Sequence, residues 1–308
     1  MRYCTFLQKL WLLNTRLNLN SNNSDLIIGS GNLGNLLFRY LFNCDSISSR
    51  EFIKDPYIIK KEYKNIFFTG QVTRRMIAKP NIYQFNLSIV EKILRHCKVL
   101  NKFYFISSID VYGNPFKENY TTDLPLQSID DYSKSKIDSE MLLRDKFEEK
   151  FLAIRIPGLY GIPNDSESVP YRMISSLINN GYIQITDPKI TRPFLSYFGL
   201  CQTIKEISEN FINKPFLSNA INVGPLYSVS LLDLSKLICK VILNEIDEDN
   251  YPLKIDESID TSEGRKSKIS IDWVNNFSDW KVKFIEDPYY SLTYYAFNHI
   301  MHNKSNLN

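Results

Sequence analysis

The stretch Leu26-Ile27-Ile28-Gly29-Ser30-Gly31-Asn32-Leu33-Gly34-Asn35-Leu36-Leu37-Phe38-Arg39-Tyr40-Leu41 decides the reading of the fold. A compact apolar run ends at a glycine, and a helix-like segment resumes seven residues later, which reads as strand, tight turn, helix. The turn matches G-x-G-x-x-G. Gly29 permits the tight bend, Gly31 lets the backbone approach a pyrophosphate, and Gly34 lets the helix pack closely on the sheet. With Asn32 and Leu33 between them, these residues would present the free N–H groups of a helix start to an anion. A purely structural glycine turn is the competing reading.

Working outward, short apolar runs recur at 65–69, 103–107 and 151–156, with helical windows at 82–100 and 132–147 between them. Strands alternating with crossover helices predict an α/β protein, a Rossmann-type doubly wound parallel sheet. After Pro157-Gly158 the rhythm loosens. Helices are expected at 169–179, 201–211 and 231–243, and 245–268 is charge-rich and expected to be exposed. The organisation expected is an amino-terminal extension over 1–24, an NAD(P)-binding core over 25–160, and a smaller carboxyl-side substrate lobe over 161–308 with segments returning to the core.

In a dinucleotide fold an acidic residue at the end of the second strand bonds the adenosine ribose. Here that place reads Ile47-Ser48-Ser49-Arg50, with Asp45 early and Glu51 late. Hydroxyls and the Arg50 guanidinium suit a 2′-phosphate, so NADP is favoured and NAD is the alternative. An ordinary solvated Arg50 is the plain reading.

Tyr132-Ser133-Lys134-Ser135-Lys136 contains Tyr-x-x-x-Lys, which places Tyr132 and Lys136 on one helix face. A lysine cation beside a phenol favours the phenolate and brings it toward an acid/base range. Ser107-Ser108-Ile109-Asp110-Val111-Tyr112-Gly113 follows another expected strand. The chemistry is coherent: Ser108 polarises a carbonyl or alcohol oxygen, Tyr132 transfers its proton, and Lys136 tunes Tyr132 and holds the nicotinamide ribose.

On GSGNLG at 29–34, SSIDVYG at 107–113, YSKSK at 132–136 and RIPGLYG at 155–161, the chain resembles the extended short-chain dehydrogenases/reductases. Within them it is similar to the NAD(P)-dependent epimerase/dehydratase branch, which acts largely on nucleotide sugars. Fainter echoes are Asn86, Arg192, INVG at 221–224 and Arg265. The resemblance implies catalysis by Ser108, Tyr132 and Lys136, cofactor-site support from Asn86, and a substrate lobe for a nucleoside-diphosphate sugar. It also implies diphosphate contacts from Arg192 and Arg265, a sugar pocket shaped by Tyr112 and Gly113, and a homodimer.

Some features depart from that pattern. The stretch after the first helix is short, Phe68-Thr69-Gly70-Gln71 replaces a His-x-Ala-Ala type segment, and Arg192-Pro193-Phe194 lacks the aspartate expected after the arginine. Asp110 alone does not make the acidic pair of the dehydratases.

Composition bounds the alternatives. The 308 residues are 44% hydrophobic, enough for a substantial core, and Lys+Arg 37 against Asp+Glu 34 leaves a net charge of +3, no footprint for nucleic acid. Cys4, Cys44, Cys97, Cys201 and Cys239 show no paired spacing, and with only three histidines no metal site is expected. No apolar run is long enough to span a bilayer, and no export signal is evident, so a cytoplasmic protein is expected.

The expected function is NADP-dependent reduction or dehydrogenation of a nucleoside-diphosphate (deoxy)hexose in polysaccharide precursor synthesis. The alternatives are a nucleotide-sugar 4-epimerase and a catalytically silent dinucleotide-binding subunit.

Overall fold

A computed structural model describes residues 24–41, 44–59, 62–73, 81–113, 120–162, 168–185, 187–210, 219–243, 251–255, 287, 291–293 and 295–296. Arg265 and the expected extension up to Asn23 lie outside the described residues.

The centre is a six-stranded sheet of β1 (Asp25–Ile28), β2 (Cys44–Ile47), β3 (Glu62–Phe68), β4 (Lys98–Ser108), β5 (Phe151–Ile156) and β10 (Ala220–Asn222). Its order is β10-β5-β4-β3-β1-β2. All five pairings are parallel. The carboxyl ends of the strands therefore share one edge, and the chain reverses its direction of travel across the sheet between β1 and β3. In open α/β sheets that crevice is where ligands bind.

Strand alternation explains how both faces are covered. Ile27, Phe67, Tyr104, Ile106, Leu152 and Ile154 turn to one face, under α1 (Asn32–Tyr40) and α6 (Tyr197–Asn210). Leu26, Ile28, Phe68, Phe103, Phe105 and Ala153 turn to the other, under α2 (Ser49–Lys54), α3 (Ile82–His96) and α4 (Asp131–Phe147). Phe103 stacks on Phe147 with ring centroids 4.4 Å apart, which anchors the carboxyl end of α4 to β4. Leu26, Ile27 and Ile28 have no exposed surface, and truncating any of them to alanine would cost about 2–5 kcal/mol.

The smaller lobe packs α5 (Val169–Asn180) and α7 (Leu231–Leu243) around a separate apolar cluster that includes Met173, Ile174, Leu234 and Ile238. Short strands stitch it together: β6 (Leu159–Tyr160) with β9 (Leu195–Ser196), β7 (Ile183–Ile185) with β12 (Leu253–Ile255), and β8 (Thr191–Arg192) with β11 (Val229–Ser230). Leu253–Ile255 falls in the charge-rich stretch expected to be exposed. It is a strand, and it keeps Ile255 47% exposed.

Three further boundaries differ from expectation. The helix expected over 82–100 ends at His96, because Lys98 and Val99 pair with Glu62 and Tyr63 and join β4. The helix expected from Cys201 begins at Tyr197, where the Ser196 hydroxyl accepts from the Gly199 N–H at 2.9 Å. Among its described residues the short stretch after α1 has no strand beyond β2. Ser48 there caps α2, which was not foreseen, and β2 is left as the sheet edge.

Candidate active site

The glycine turn joins β1 to α1 at the carboxyl edge. Gly29 has φ +124°, and a Cβ there would stand 2.4 Å from the Gly70 Cα. A Cβ on Gly34 would stand 1.7 Å from the Gly29 carbonyl oxygen, so this glycine lets α1 lie against the turn. Gly31 differs: its hypothetical Cβ meets nothing within 4 Å, and its φ is an ordinary −72°. No side chain caps α1, so Asn32 and Leu33 contribute first-turn amides with no capping acceptor. An open glycine facing an uncapped helix start is the shape a pyrophosphate would fill, and these residues fit a dinucleotide. The turn after β3 presses on the same place, with the Thr69 hydroxyl donating to the Gly29 carbonyl at 3.1 Å.

At the tip of β2 the hydroxyls are already engaged. The Ser48 hydroxyl donates to the Glu51 carboxylate at 2.6 Å and accepts from the Glu51 N–H at 3.2 Å, a capping box. The Ser49 hydroxyl donates to the Gly70 carbonyl at 2.7 Å. Arg50 is exposed. Asp45 is buried in β2, where its carboxylate accepts from the Ser24 hydroxyl at 3.1 Å, away from the strand tip.

The helix α4 carries the other candidates. Its amino end is fixed by a capping box between Asp130 and Ser133, and Tyr132, Lys136 and Glu140 then follow at four-residue steps along one buried stripe. Lys136 Nζ donates to the Ile106 carbonyl at 2.7 Å and lies 4.9 Å from the centre of the Phe105 ring and 5.9 Å from that of Tyr132. That bond brings the helix to the end of β4, two residues before Ser108. Burial pushes the Lys136 ammonium down to about 7, against the pull of Glu140 and Asp110. The Ser108 hydroxyl accepts from the Asp110 N–H at 3.2 Å and caps the turn that follows. Ser108, Tyr132 and Lys136 are thus gathered at the edge that the glycine turn also borders.

Asn86, fully buried on α3, bolts this helix to the turn after β3. It accepts from the Val72 N–H at 2.8 Å and donates to the Ser135 hydroxyl at 2.9 Å. Gln71 donates to the Ser139 hydroxyl at 2.6 Å, and Ser139 donates to the Ser135 carbonyl at 2.6 Å. Since the Ser139 proton is committed to that carbonyl, the Gln71 amide nitrogen must face Ser139. Gln71 Oε1 is then left buried without a partner among the described residues. The unusual Thr69-Gly70-Gln71 sequence thereby joins the glycine turn to α4.

Tyr112 corrects an expectation. Its side chain has no exposed surface, so it does not line a sugar pocket; its hydroxyl accepts from Arg155 at 2.9 Å and donates to Asn222 at 2.6 Å. Arg155 in turn forms a buried, two-pronged ion pair with Glu140, closing at 2.6 Å, and the Ser107 hydroxyl donates to the same carboxylate at 2.5 Å. Burial disfavours the Arg155 charge, but Glu140 and Tyr112 together hold its pKa above the ordinary arginine value. Glu140, Arg155, Ser107 and Gln71 were not assigned roles from sequence. The step of four from Lys136 to Glu140 was the available signal, whereas its partner on β5 follows only from the sheet order.

Arg192 stands on β8 in the smaller lobe. Desolvation, and then repulsion from Arg172 on α5, hold its guanidinium below the usual arginine range, while Asp110 and Tyr120 pull the other way. Asp110 thus acts electrostatically on both Lys136 and Arg192.

The parallel sheet, glycine turn and Tyr-x-x-x-Lys helix define a Rossmann-type α/β fold whose turn fits a dinucleotide. The profile of the NAD dependent epimerase/dehydratase family matches residues 63–191. Over that stretch the chain resembles that family of NAD(P)-dependent enzymes. The fold is shared with a putative epimerase from Burkholderia cenocepacia J2315, at TM-score 0.68 and 11% identity over 89% of this chain and 97% of that one. A dTDP-4-dehydrorhamnose reductase from Yersinia enterocolitica has TM-score 0.68 and 17% identity over 89% and 99%. A UDP-N-acetylglucosamine 4-epimerase from Methanobrevibacter ruminantium M1 has TM-score 0.67 and 18% identity over 92% and 99%. No curated protein matches the sequence. Among the described residues, no helix is long and apolar enough to cross a membrane.

Proposed function

We propose that the protein is an NADP-dependent reductase or dehydrogenase of a nucleoside-diphosphate deoxyhexose, acting in polysaccharide precursor synthesis. The observation that carries this reading is the gathering of Tyr132 and Lys136 on one stripe of α4, with Ser108 at the adjoining end of β4. When bound, the nicotinamide supplies or accepts the hydride. Ser108 donates a hydrogen bond to the sugar oxygen at the reacting carbon and stabilises the charge that develops there. Tyr132 gives that oxygen its proton in the reductive direction and removes it in the oxidative one. The Lys136 cation favours the Tyr132 phenolate and binds the nicotinamide ribose. Arg192 holds the substrate diphosphate from the smaller lobe, with Arg265 assigned the same role. The cofactor is assigned to Gly29, Gly31, Asn32, Leu33 and Gly34, with Arg50 at the adenosine end and Asn86 bracing α4.

NADP and net redox turnover go together, because a cofactor consumed at each cycle must be released and replaced. The test is incubation with nucleoside-diphosphate hexoses and 4-keto-6-deoxy sugars, with NAD(H) and NADP(H), following cofactor absorbance and product mass. NADPH loss matched to a gain of two hydrogens is expected. An isomer formed at constant mass without net cofactor loss would assign the site to an epimerase. NADPH binding with no sugar-dependent reaction would leave a silent dinucleotide-binding subunit. Tyr132→Phe is expected to reduce turnover about 10²- to 10⁴-fold with the fold retained.

A further inference from the structure

Ser108 has a buried anchor on each side of it in the sequence, and both anchors lead to one carboxylate. Ser107, the residue before it, donates to Glu140 at 2.5 Å. Tyr112, which ends the turn after it, is bonded to Arg155, and Arg155 is paired with the same Glu140. The third link runs along α4. Glu140 stands one helical turn from Lys136, and Lys136 is itself bonded to the Ile106 carbonyl of β4. Strand alternation makes this possible: Ser107 turns inward to α4, which leaves Ser108 at the open end of the strand.

We infer that Glu140 is a positioning residue for the Ser108, Tyr132 and Lys136 set, holding the end of β4 on both sides of Ser108 and placing a buried negative charge one turn from the Lys136 ammonium. The inference rests on the functional reading above. An arginine partner alone does not account for the arrangement. A carboxylate serving only to neutralise Arg155 needs no bond to Ser107 and no place on the stripe of Tyr132 and Lys136.

The surroundings of Lys136 decide the sign of the electrostatic effect. Its own helix supplies Tyr132 and Glu140, β4 supplies the Ile106 carbonyl and the Phe105 face, and the turn after β4 supplies Asp110. Burial disfavours the cation and the two carboxylates favour it. Removing the Glu140 charge therefore leaves Lys136 deprotonated at lower pH. Glu140 and Asp110, rather than Arg155, are the charges that act on Lys136, and Arg155 is engaged by Tyr112 and Glu140, so its removal does not substitute for the lost carboxylate.

The experiment is a fluorescence titration of the full-length protein with NADH, which lacks a titrating 2′-phosphate, across pH about 5 to 9, bracketing the Lys136 transition in both wild type and variant. The wild-type affinity is expected to fall as Lys136 loses its proton, and Lys136→Met is expected to abolish that pH dependence. In Glu140→Gln the midpoint moves down by on the order of one pH unit. The double variant Glu140→Gln/Arg155→Gln leaves neither charge unpaired, so it carries the measurement if the single variant does not fold. It is expected to retain the lowered midpoint and a reduced kcat. A wild-type midpoint in the double variant would make Glu140 a partner of Arg155 only and overturn the inference. Failure of the wild type to bind either NADH or NADPH would instead overturn the functional reading itself.

Discussion

The buried polar side chains of α4 are tied to other elements: Ser135 to Asn86 on α3, Ser139 to Gln71 in the turn after β3, Lys136 and Glu140 to β4, and Glu140 also to Arg155 on β5. Around Arg192 the backbone is held by two-residue strands, and neither Arg192 nor Arg172 has an ion pair among the described residues. One side of the crevice is fixed before any ligand arrives. The other presents cations whose mutual repulsion an anion would relieve. Pre-organisation on the side assigned to chemistry spares reorganisation when charge moves, whereas open charges on the substrate side tolerate exchange of one sugar nucleotide for another.

The largest expected effect sets two glycines of one turn against each other. Gly34→Ala would drive a methyl group into the Gly29 carbonyl, and a cost of about 3 kcal/mol or more is expected, a fall in Tm on the order of 10 °C. Gly31→Ala has open space and an ordinary backbone angle, so its Tm should match the wild type. Its NADPH affinity should nevertheless fall, because the new methyl occupies the room reserved for phosphate. Equal Tm losses in the two variants would break the distinction between a packing glycine and a ligand-facing one.

Next in size is the strain stored in the fixed side. Lys136 has its pKa lowered from the ordinary 10.5 to about 7 by burial. Between those values the unfolded chain holds a proton that the folded one lacks, so stability rises with pH across that window. Lys136→Met should therefore raise Tm by a few degrees at pH 7 while abolishing turnover, and the gain should fade as pH approaches 10.5. A gain independent of pH would mean that Lys136 is not strained by its burial.

On the open side, Arg192→Ala is expected to raise KM for the sugar nucleotide roughly 10- to 100-fold with a smaller change in kcat, the loss of one charge-assisted phosphate contact. A larger fall in kcat than rise in KM would place Arg192 in the chemistry and erase the contrast between the two sides.

The same contrast governs what could be read from sequence. The glycine turn, the parallel sheet and the Tyr132–Lys136 spacing are local patterns, and each is found where the residues put it. RIPGLYG carried Arg155 in plain view, yet its role depends on Glu140 and Tyr112, which meet it only because β5 lies beside β4. For Tyr112, sequence gave a motif without a direction. The turn after Ser108 points its ring into the core, and no periodicity encodes that. The short stretch after α1 was legible as a departure. Its result, a capped α2 and β2 as the last strand in the sheet order, required the pairings of β1 and β2.

The smallest effect concerns the adenosine end, where three residues were expected to favour a 2′-phosphate. Two of them are already occupied: the Ser48 hydroxyl donates to Glu51 and that of Ser49 to the Gly70 carbonyl, so neither has its proton free for a phosphate oxygen. Arg50 alone remains, exposed to water that screens its charge. Glu51 stands next to it, held below the usual carboxylate range by its bonds from Ser48, and its negative charge opposes a phosphate dianion. Arg50→Ala should therefore lower the preference for NADPH over NADH by only about two- to fivefold. Glu51→Gln should move it the other way, because it removes the opposing charge and loosens Ser48 from its cap. A preference unchanged in both variants would detach this edge of the sheet from cofactor choice.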